Sequence, residues 1–342
     1  MGPRWLWSLP PALAGAELWL GGLGRPFGHL CAYAGLAAAL ELAWRHTGRT
    51  TPVYRRHLWI VLLMALFGLV DQARLAFGPG REAGVGRWLA DLAGAALGLA
   101  LCALPWLRSR RLAGLSWVRG AAARPDPARP LILVADPHWS GALTGLEAAR
   151  PGADWLFLGD IFDVWVGIPG MDSPLERAFL DWVGARRREG CWVGFWLGNR
   201  EYFLDPWSGQ FDLMGEGLGG GLATEGLRWE HGDLVNGADW RYRLWNVLSR
   251  SGPVWLFARA LPRSAARALA ARIQRALHTT NRDYKLRFPR EAFRAAAAEA
   301  PGTTFITGHF HTHEVEQNGI ALPWAHEGRF AVWERGQVRL LP

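Results

Sequence analysis

The sequence predicts two parts of different fold class, an α-helical membrane part followed by a soluble α/β part. Long apolar runs are confined to roughly the first 120 of the 342 residues. Beyond about residue 129, short apolar runs of strand length alternate with helix-like patterns. The charge divides at the same place. The net charge of +8 belongs to residues 1–120, and residues 121–342 carry 25 Lys+Arg and 25 Asp+Glu. Arginines that flank apolar spans explain such an excess, so the basic balance is no sign of a nucleic-acid partner. Cys31, Cys102 and Cys191 show no metal-ligand spacing and read as small buried hydrophobes in a reducing compartment.

Three stretches, 28–45, 57–77 and 87–107, are long and apolar enough to cross a bilayer. A fourth, Trp5 to Leu23, is interrupted by Pro10, Pro11 and Glu17 and reads as a short or interfacial helix. No early basic region and small-residue cleavage site mark it as a signal peptide. Arg45, Arg49, Arg55 and Arg56 crowd one loop, and Arg108, Arg110 and Arg111 follow the last span. Both loops are expected in the cytoplasm, with the Gly-rich link 78–86 outside and the soluble part cytoplasmic. Glu41, Asp71 and Asp91 lie in or at the ends of spans, where a charge either serves a function or reaches the interface. Gly94 and Gly98 suit close helix packing.

This region resembles the VanZ-like membrane family. The resemblance rests on Gly28-His29-Leu30 with Tyr33, on Asp71, on Phe77-Gly78-Pro79-Gly80-Arg81, and on Asp91 followed by Gly94 and Gly98. It departs at Gln72, where that family usually has an acidic residue, and it implies no settled chemistry. The expected domains are 1–110 (membrane, three to four helices), 111–128 (linker) and 129–342, with a helical cap inserted at about 240–297.

In the soluble part, five strand-like runs each end in polar residues. Pro130–Ala135 leads to Asp136-Pro137-His138, and Trp155–Leu158 to Gly159-Asp160-Ile161-Phe162-Asp163. Cys191–Leu197 leads to Gly198-Asn199-Arg200-Glu201, and Gly226–Trp229 to Glu230-His231-Gly232-Asp233. Thr303–Thr307 leads to Gly308-His309-Phe310-His311. Strand ends converge on one rim, so these groups can share a site, and the glycines allow close approach. Carboxylate, amide oxygen and imidazole suit Mn²⁺, Fe²⁺ or Zn²⁺ better than Ca²⁺, and the lack of thiolates disfavours a structural zinc. Two such ions can clamp a phosphoryl group and activate a bridging water.

The order D-x-H, G-D-x-x-D, G-N-R-E, H-G-D, G-H-x-H resembles the calcineurin-like metallophosphoesterases over nearly all of 130–342. That resemblance implies a two-sheet α/β sandwich flanked by helices. It also implies two divalent ions, Mn²⁺ foremost, with Asp136, His138, Asp160 and His311 holding one. Asp160, Asn199, His231 and His309 would hold the other, with Asp160 bridging. Gly198–Phe203 and Gly159–Gly167 look like the UDP-2,3-diacylglucosamine pyrophosphatases of lipid A synthesis, in spite of Pro137 and Glu201, which stand where Leu and Asp are usual. Those enzymes release UMP and diacylglucosamine 1-phosphate at the cytoplasmic face of the bacterial inner membrane.

Arg200 suits a phosphate oxygen and, with Asn199, is the expected catalytic group; Trp165, Arg241 and Lys285 are expected to touch substrate. Residues Arg241 to Arg294 hold 13 Lys+Arg against Asp283 and Glu291, interleaved with Trp245, Leu248, Trp255 and Phe257. A basic amphipathic cap of this kind fits a lipid-linked nucleotide and an anionic membrane, and otherwise reads as a solvated helical face. Asp163 and Asp233 read as groups that support ligands or turns, and His313 as a surface residue. Another lipid-linked phosphate or pyrophosphate, a nucleic-acid phosphodiesterase and an inactive membrane scaffold are the alternatives.

Overall fold

The computed structural model describes residues 25–46, 51–76, 85–108 and 117–341, except 122–123, 125, 147–151, 169–170, 223–224, 238, 263, 267, 269–271, 273–287 and 326–329. Trp5–Leu23, residues 77–84 (the Phe77–Arg81 motif and most of the link 78–86) and Lys285 lie outside the described residues. The chain divides into two compact units. One is Met1–Gly114 with Arg250–Trp255, and the other is Leu115–Ser249 with Leu256–Pro342.

Three helices, α1 (Arg25–His46), α2 (Val53–Ala76) and α3 (Val85–Arg108), form the described part of the first unit. They share a buried cluster that includes Tyr33, Leu36, Ile60, Met64, Ala95 and Leu99. A side chain at Gly94 or Gly98 would collide with the backbone of Leu30 or Ala34, so these glycines set how closely α1 and α3 pack. On α2, Trp59, Leu62, Leu63, Leu66 and Val70 are all exposed, at spacings that put them on one face. Two stretches, Tyr54–Ala73 and Val85–Cys102, are long and apolar enough to cross a membrane. The span expected at 28–45 is helical, but its apolar part is only His29–Trp44, bracketed by Arg25 and Arg45. Cys31, expected to be buried, is exposed.

Helix α2 begins four residues before the predicted span, and this changes the reading of Arg56. Instead of lying in a loop, Arg56 falls in the first turn of α2 and is 4% exposed. Its Nε and Nη2 donate to Glu41 at 2.8 Å each. Glu41 and Asp91 are both fully buried and both paired, the latter with His29 Nδ1 at 2.9 Å.

In the second unit the strands β2 (Leu131–Val134), β3 (Asp154–Phe157) and β5 (Val193–Leu197) are adjacent and parallel. All their residues are buried, as expected of strands covered on both faces. They are the middle of a seven-stranded sheet in the order β1-β7-β5-β3-β2-β13-β14. The outer members are β1 (Trp117–Gly120), β7 (Leu213–Glu216), β13 (Ala331–Glu334) and β14 (Gln337–Leu340). Two short strands, β4 (Trp165–Val166) and β6 (Glu201–Tyr202), pair with each other. The strands β8 (Gly220–Leu222), β9 (Leu227–Glu230), β10 (Thr304–Thr307), β11 (Glu314–Glu316) and β12 (Gly319–Ala321) form a five-stranded sheet in the order β11-β12-β10-β9-β8, with β9 and β10 parallel neighbours.

Side-chain alternation divides the core. Leu131, Leu133 and Leu156 join Leu227, Trp229 and Ile306 in a cluster shared by the two sheets. Ile132, Val134, Trp155 and Phe157 instead join Phe179 and Val183 of helix α4 (Pro174–Arg188). Thus α4 covers the outer face of the larger sheet. Its start is fixed by a capping box between Ser173 and Glu176.

Two expected boundaries move. The segment 111–128 is more than a linker, because β1 pairs with β7 and Trp117 is buried, its indole N–H donating to Glu216. Arg124 in the same segment is also buried and bound to Glu225. The expected cap is shorter than 240–297. It contains α5 (Trp240–Ser249) and α6 (Gly252–Ala260), but α7 (Arg290–Ala298) packs Phe293, Ala296 and Ala297 against Phe305 and Ala321 of the smaller sheet. Parallel neighbours such as β9 and β10 need a crossover between them, and α7 lies on it.

Candidate metal centre

All five predicted strands form, and the turns after β2, β3, β5, β9 and β10 bring the polar residues together. Among the described residues, eight other than glycine have positive φ, and five of these are predicted ligands. They are Asp136 (φ 50°), His138 (45°), Asp160 (51°), His309 (68°) and His311 (54°). Left-handed backbone costs a residue with a side chain about 1–3 kcal/mol and survives only where the surroundings impose it. Two of the other three, Gln317 and Arg335, sit in tight β-hairpins, where such a conformation is routine.

Two groups of donor atoms result, each with its atoms within 4.8 Å of one another: Asp136, His138 and His311, and Asp136, Asp160 and His231. Asp160 lies between the two halves of the site. Its Oδ2 is 3.8 Å from His138 Nε2, and its Oδ1 is 3.5 Å from His231 Nε2. Asn199 Oδ1 lies 3.0 Å from both His231 Nε2 and His309 Nδ1, which are 3.3 Å apart. All seven predicted ligands are therefore brought together.

Several contacts orient these groups. His231 Nδ1–H donates to the Leu158 carbonyl at 2.7 Å, which turns Nε2 toward the site. His309 N–H donates to Asp136 Oδ2 at 2.6 Å. A Cβ at Gly198 would press on the Asp160 carboxylate, and one at Gly308 on that of Asp136, so both turns need glycine for close approach.

The donor set fits a divalent ion of borderline character. Asp136 Oδ1 is buried and accepts no hydrogen bond among the described residues; its ion-pair contact with His311 Nε2 is 3.7 Å. The electrostatics point the same way. Burial alone would raise the Asp136 carboxyl, yet the imidazoles of His311, His231 and His138 hold it below the usual range. Burial alone would lower His231, yet the carboxylates of Asp160 and Asp136 push it up to about 9. The site is thus built to attract positive charge, which a proton or a metal ion can supply.

Glu201, which the sequence marks only as a departure from the motif, supports the site. Fully buried, it accepts from the backbone N–H groups of Asp160 (3.0 Å), Ile161 (2.8 Å) and Gly198 (2.7 Å). It thereby ties the turns after β3 and β5 together. Trp324 was missed; it stacks on His311 with ring centroids 5.3 Å apart and meets His138 edge-on. Only its place in the fold brings it there, 13 residues along the chain from His311.

The residues expected to touch substrate fare differently. Trp165 is wholly buried among Phe162, Phe179 and Phe195, so it is a core residue and offers no face to a ligand. Its place at the end of a Gly-Asp-x-x-Asp turn disguised a packing role. Arg200 is at the site but 4% exposed, donating to the Asp163 carbonyl at 3.0 Å with its Nε 3.5 Å from Asp160 Oδ2. Arg241 is the second residue of α5. Asp163 Oδ1 supports His138 Nδ1 at 3.9 Å, Asp233 accepts from Tyr242 at 2.5 Å, and His313 is exposed.

No family model matches the chain, and no curated protein matches it. Its chemistry is therefore inferred from the site itself.

Proposed function

We propose that this chain is a membrane-anchored, metal-dependent phosphoesterase that cleaves the pyrophosphate bond of UDP-2,3-diacylglucosamine into UMP and diacylglucosamine 1-phosphate. The observation that supports this most is the concentration of left-handed backbone at five of the seven converging ligands. Strain of that kind collects where geometry serves chemistry rather than folding. The motif order adds the phosphoesterase class, and Gly198-Asn199-Arg200 with Gly159–Gly167 adds the substrate.

On this proposal Asp136, His138, Asp160 and His311 hold one divalent ion, and Asp160, Asn199, His231 and His309 the other. When bound, such ions polarise phosphoryl oxygens and make water a nucleophile at neutral pH. The chain's own residues do the rest. Glu201 fixes the backbone on which Asp160 stands, and Asn199 presents its amide oxygen between two imidazoles. Arg200 keeps a permanent positive charge beside Asp160 and, on opening toward solvent, meets a phosphate oxygen.

The apolar stretches on α2 and α3 anchor the chain in the bacterial inner membrane, with the α/β unit in the cytoplasm. Anchoring raises the effective concentration of a lipid substrate without any new contact. Exposed Leu244, Trp245 and Leu248 on α5 offer apolar surface to acyl chains or bilayer.

The test is UMP release from UDP-2,3-diacylglucosamine by the full-length protein in detergent, with Mn²⁺ and with a chelator. Release with Mn²⁺ alone supports the proposal. Metal-dependent cleavage of a generic phosphodiester without UMP release would keep the site and discard the substrate.

A further inference from the structure

Beside the centre lies a cavity of about 560 Å³ for which the ligand set has no use. It is a cleft open to solvent, lined by two loops and a helix start: Trp139 to Gly141 after β2, Phe162 to Val164 after β3, and the first turns of α4. The two loops run side by side, paired at Trp139 and Phe162, and the Trp139 N–H donates to the Ile161 carbonyl at 2.9 Å. Trp139 follows the ligand His138 in sequence, and Asp163 lines the cavity while lying 3.9 Å from His138. Cavity and centre therefore share a wall.

The lining narrows what can bind. Leu175 and the edges of the buried Trp139 and Phe162 give apolar surface, while Ser140, Asp163 and Glu176 bring a hydroxyl and two carboxyl groups. Two carboxyl groups repel a second phosphate. An acyl chain would bury them against hydrocarbon with nothing to bond, which is costly. A flat, uncharged group with polar edges and hydroxyls meets both requirements, and a ribose diol is a common partner of an acidic side chain. The volume is in the usual range for small-ligand sites.

We propose that this cavity binds the nucleoside half of a nucleoside diphosphate substrate, with its ribose toward Asp163 and Glu176 and its phosphates toward the metal centre. The proposal rests on the phosphoesterase reading and extends it by assigning the site of the leaving nucleotide. Glu176 suits the task, because burial and the nearby Asp172 push its carboxyl up to about 7 against the bond from Ser173 N–H. Near neutral pH it both donates and accepts.

The test is calorimetric binding of UMP and of inorganic phosphate to the full-length protein in detergent with Mn²⁺, for wild type and for Gly141→Trp. Gly141 lines the cavity, and a Cβ there meets no atom within 4 Å, so the larger side chain enters open space. Wild type is expected to bind UMP at least about tenfold more tightly than phosphate. Gly141→Trp is expected to lose that preference and keep its phosphate affinity. Absent UMP binding, or UMP bound no more tightly than phosphate by wild type, overturns the proposal. So does a preference that survives in Gly141→Trp. Ser140→Phe, an exposed position on the same wall, repeats the test should the first variant fail to fold. Turnover plays no part in this readout, so missing hydrolysis would retire the phosphoesterase reading separately.

Discussion

In the helical unit, Glu41 is fully buried and meets Arg56 through two hydrogen bonds of 2.8 Å, and Asp91 meets His29 at 2.9 Å. At the strand ends of the α/β unit, the carboxylates and imidazoles meet at longer range. His138 and Asp160 are 3.8 Å apart, His311 and Asp136 3.7 Å, and His231 and Asp160 3.5 Å. The first arrangement is closed, with its partners at hydrogen-bond length on regular helix. The second is open, with three carboxylate or amide groups and four imidazoles, five of the seven on left-handed backbone. A closed pair costs most when it is broken, because one charge is then left buried alone. An open cluster costs as it stands and recovers that cost only through something it binds.

The contrast yields predictions in descending size. His231→Ala is expected to abolish metal-dependent turnover while the circular dichroism of the fold is unchanged; appreciable activity in this variant would remove His231 from the site. Glu41→Ala removes the carboxylate that Arg56 meets through two hydrogen bonds and is expected to cost about 3–5 kcal/mol in thermal unfolding in detergent. Glu41→Leu with Arg56→Met should recover most of that loss. A harmless Glu41→Ala would mean that the pair is not closed as described.

His311→Gly and His311→Ala both remove the imidazole beside Asp136 and differ only in the backbone. With φ at 54°, the chelator-treated glycine variant is expected to be about 1 kcal/mol more stable than the alanine variant, while both lose affinity for metal. Equal stability of the two variants would show that the turn is not strained.

The smallest effect belongs to Glu176. Its carboxyl is raised from 4.5 to about 7 on folding, so its favourable contribution is present below about pH 4.5 and lost as pH rises through 7. Glu176→Gln keeps the capping role and cannot ionise. It should match wild type near pH 4 and exceed it at pH 8 by about 1 kcal/mol after allowance for solvent screening. Equal melting temperatures at pH 8 would contradict the shift.

The same contrast explains what was legible in the sequence. Each strand-end ligand follows an apolar run and stands beside a glycine or another ligand, so local pattern announces Asp136, His138, Asp160, Asn199, His231, His309 and His311. Closed pairs have no such mark. Glu41 and Arg56 find each other only because α2 starts at Val53, and Arg124 finds Glu225 across 101 residues. Glu201 was legible as a departure from a motif, but its role depends on three backbone N–H groups that no side-chain pattern records. Trp165 illustrates the converse. Its position in a motif drew it toward function, while the aromatic cluster around it shows that it packs.

The most direct test of the open cluster is to count metal ions on the full-length protein after chelator treatment, reloading with Mn²⁺ and removal of free ions. Two ions per chain in wild type, and at most one in His231→Ala or His311→Ala, is the predicted result. A wild-type protein that retains none would contradict it.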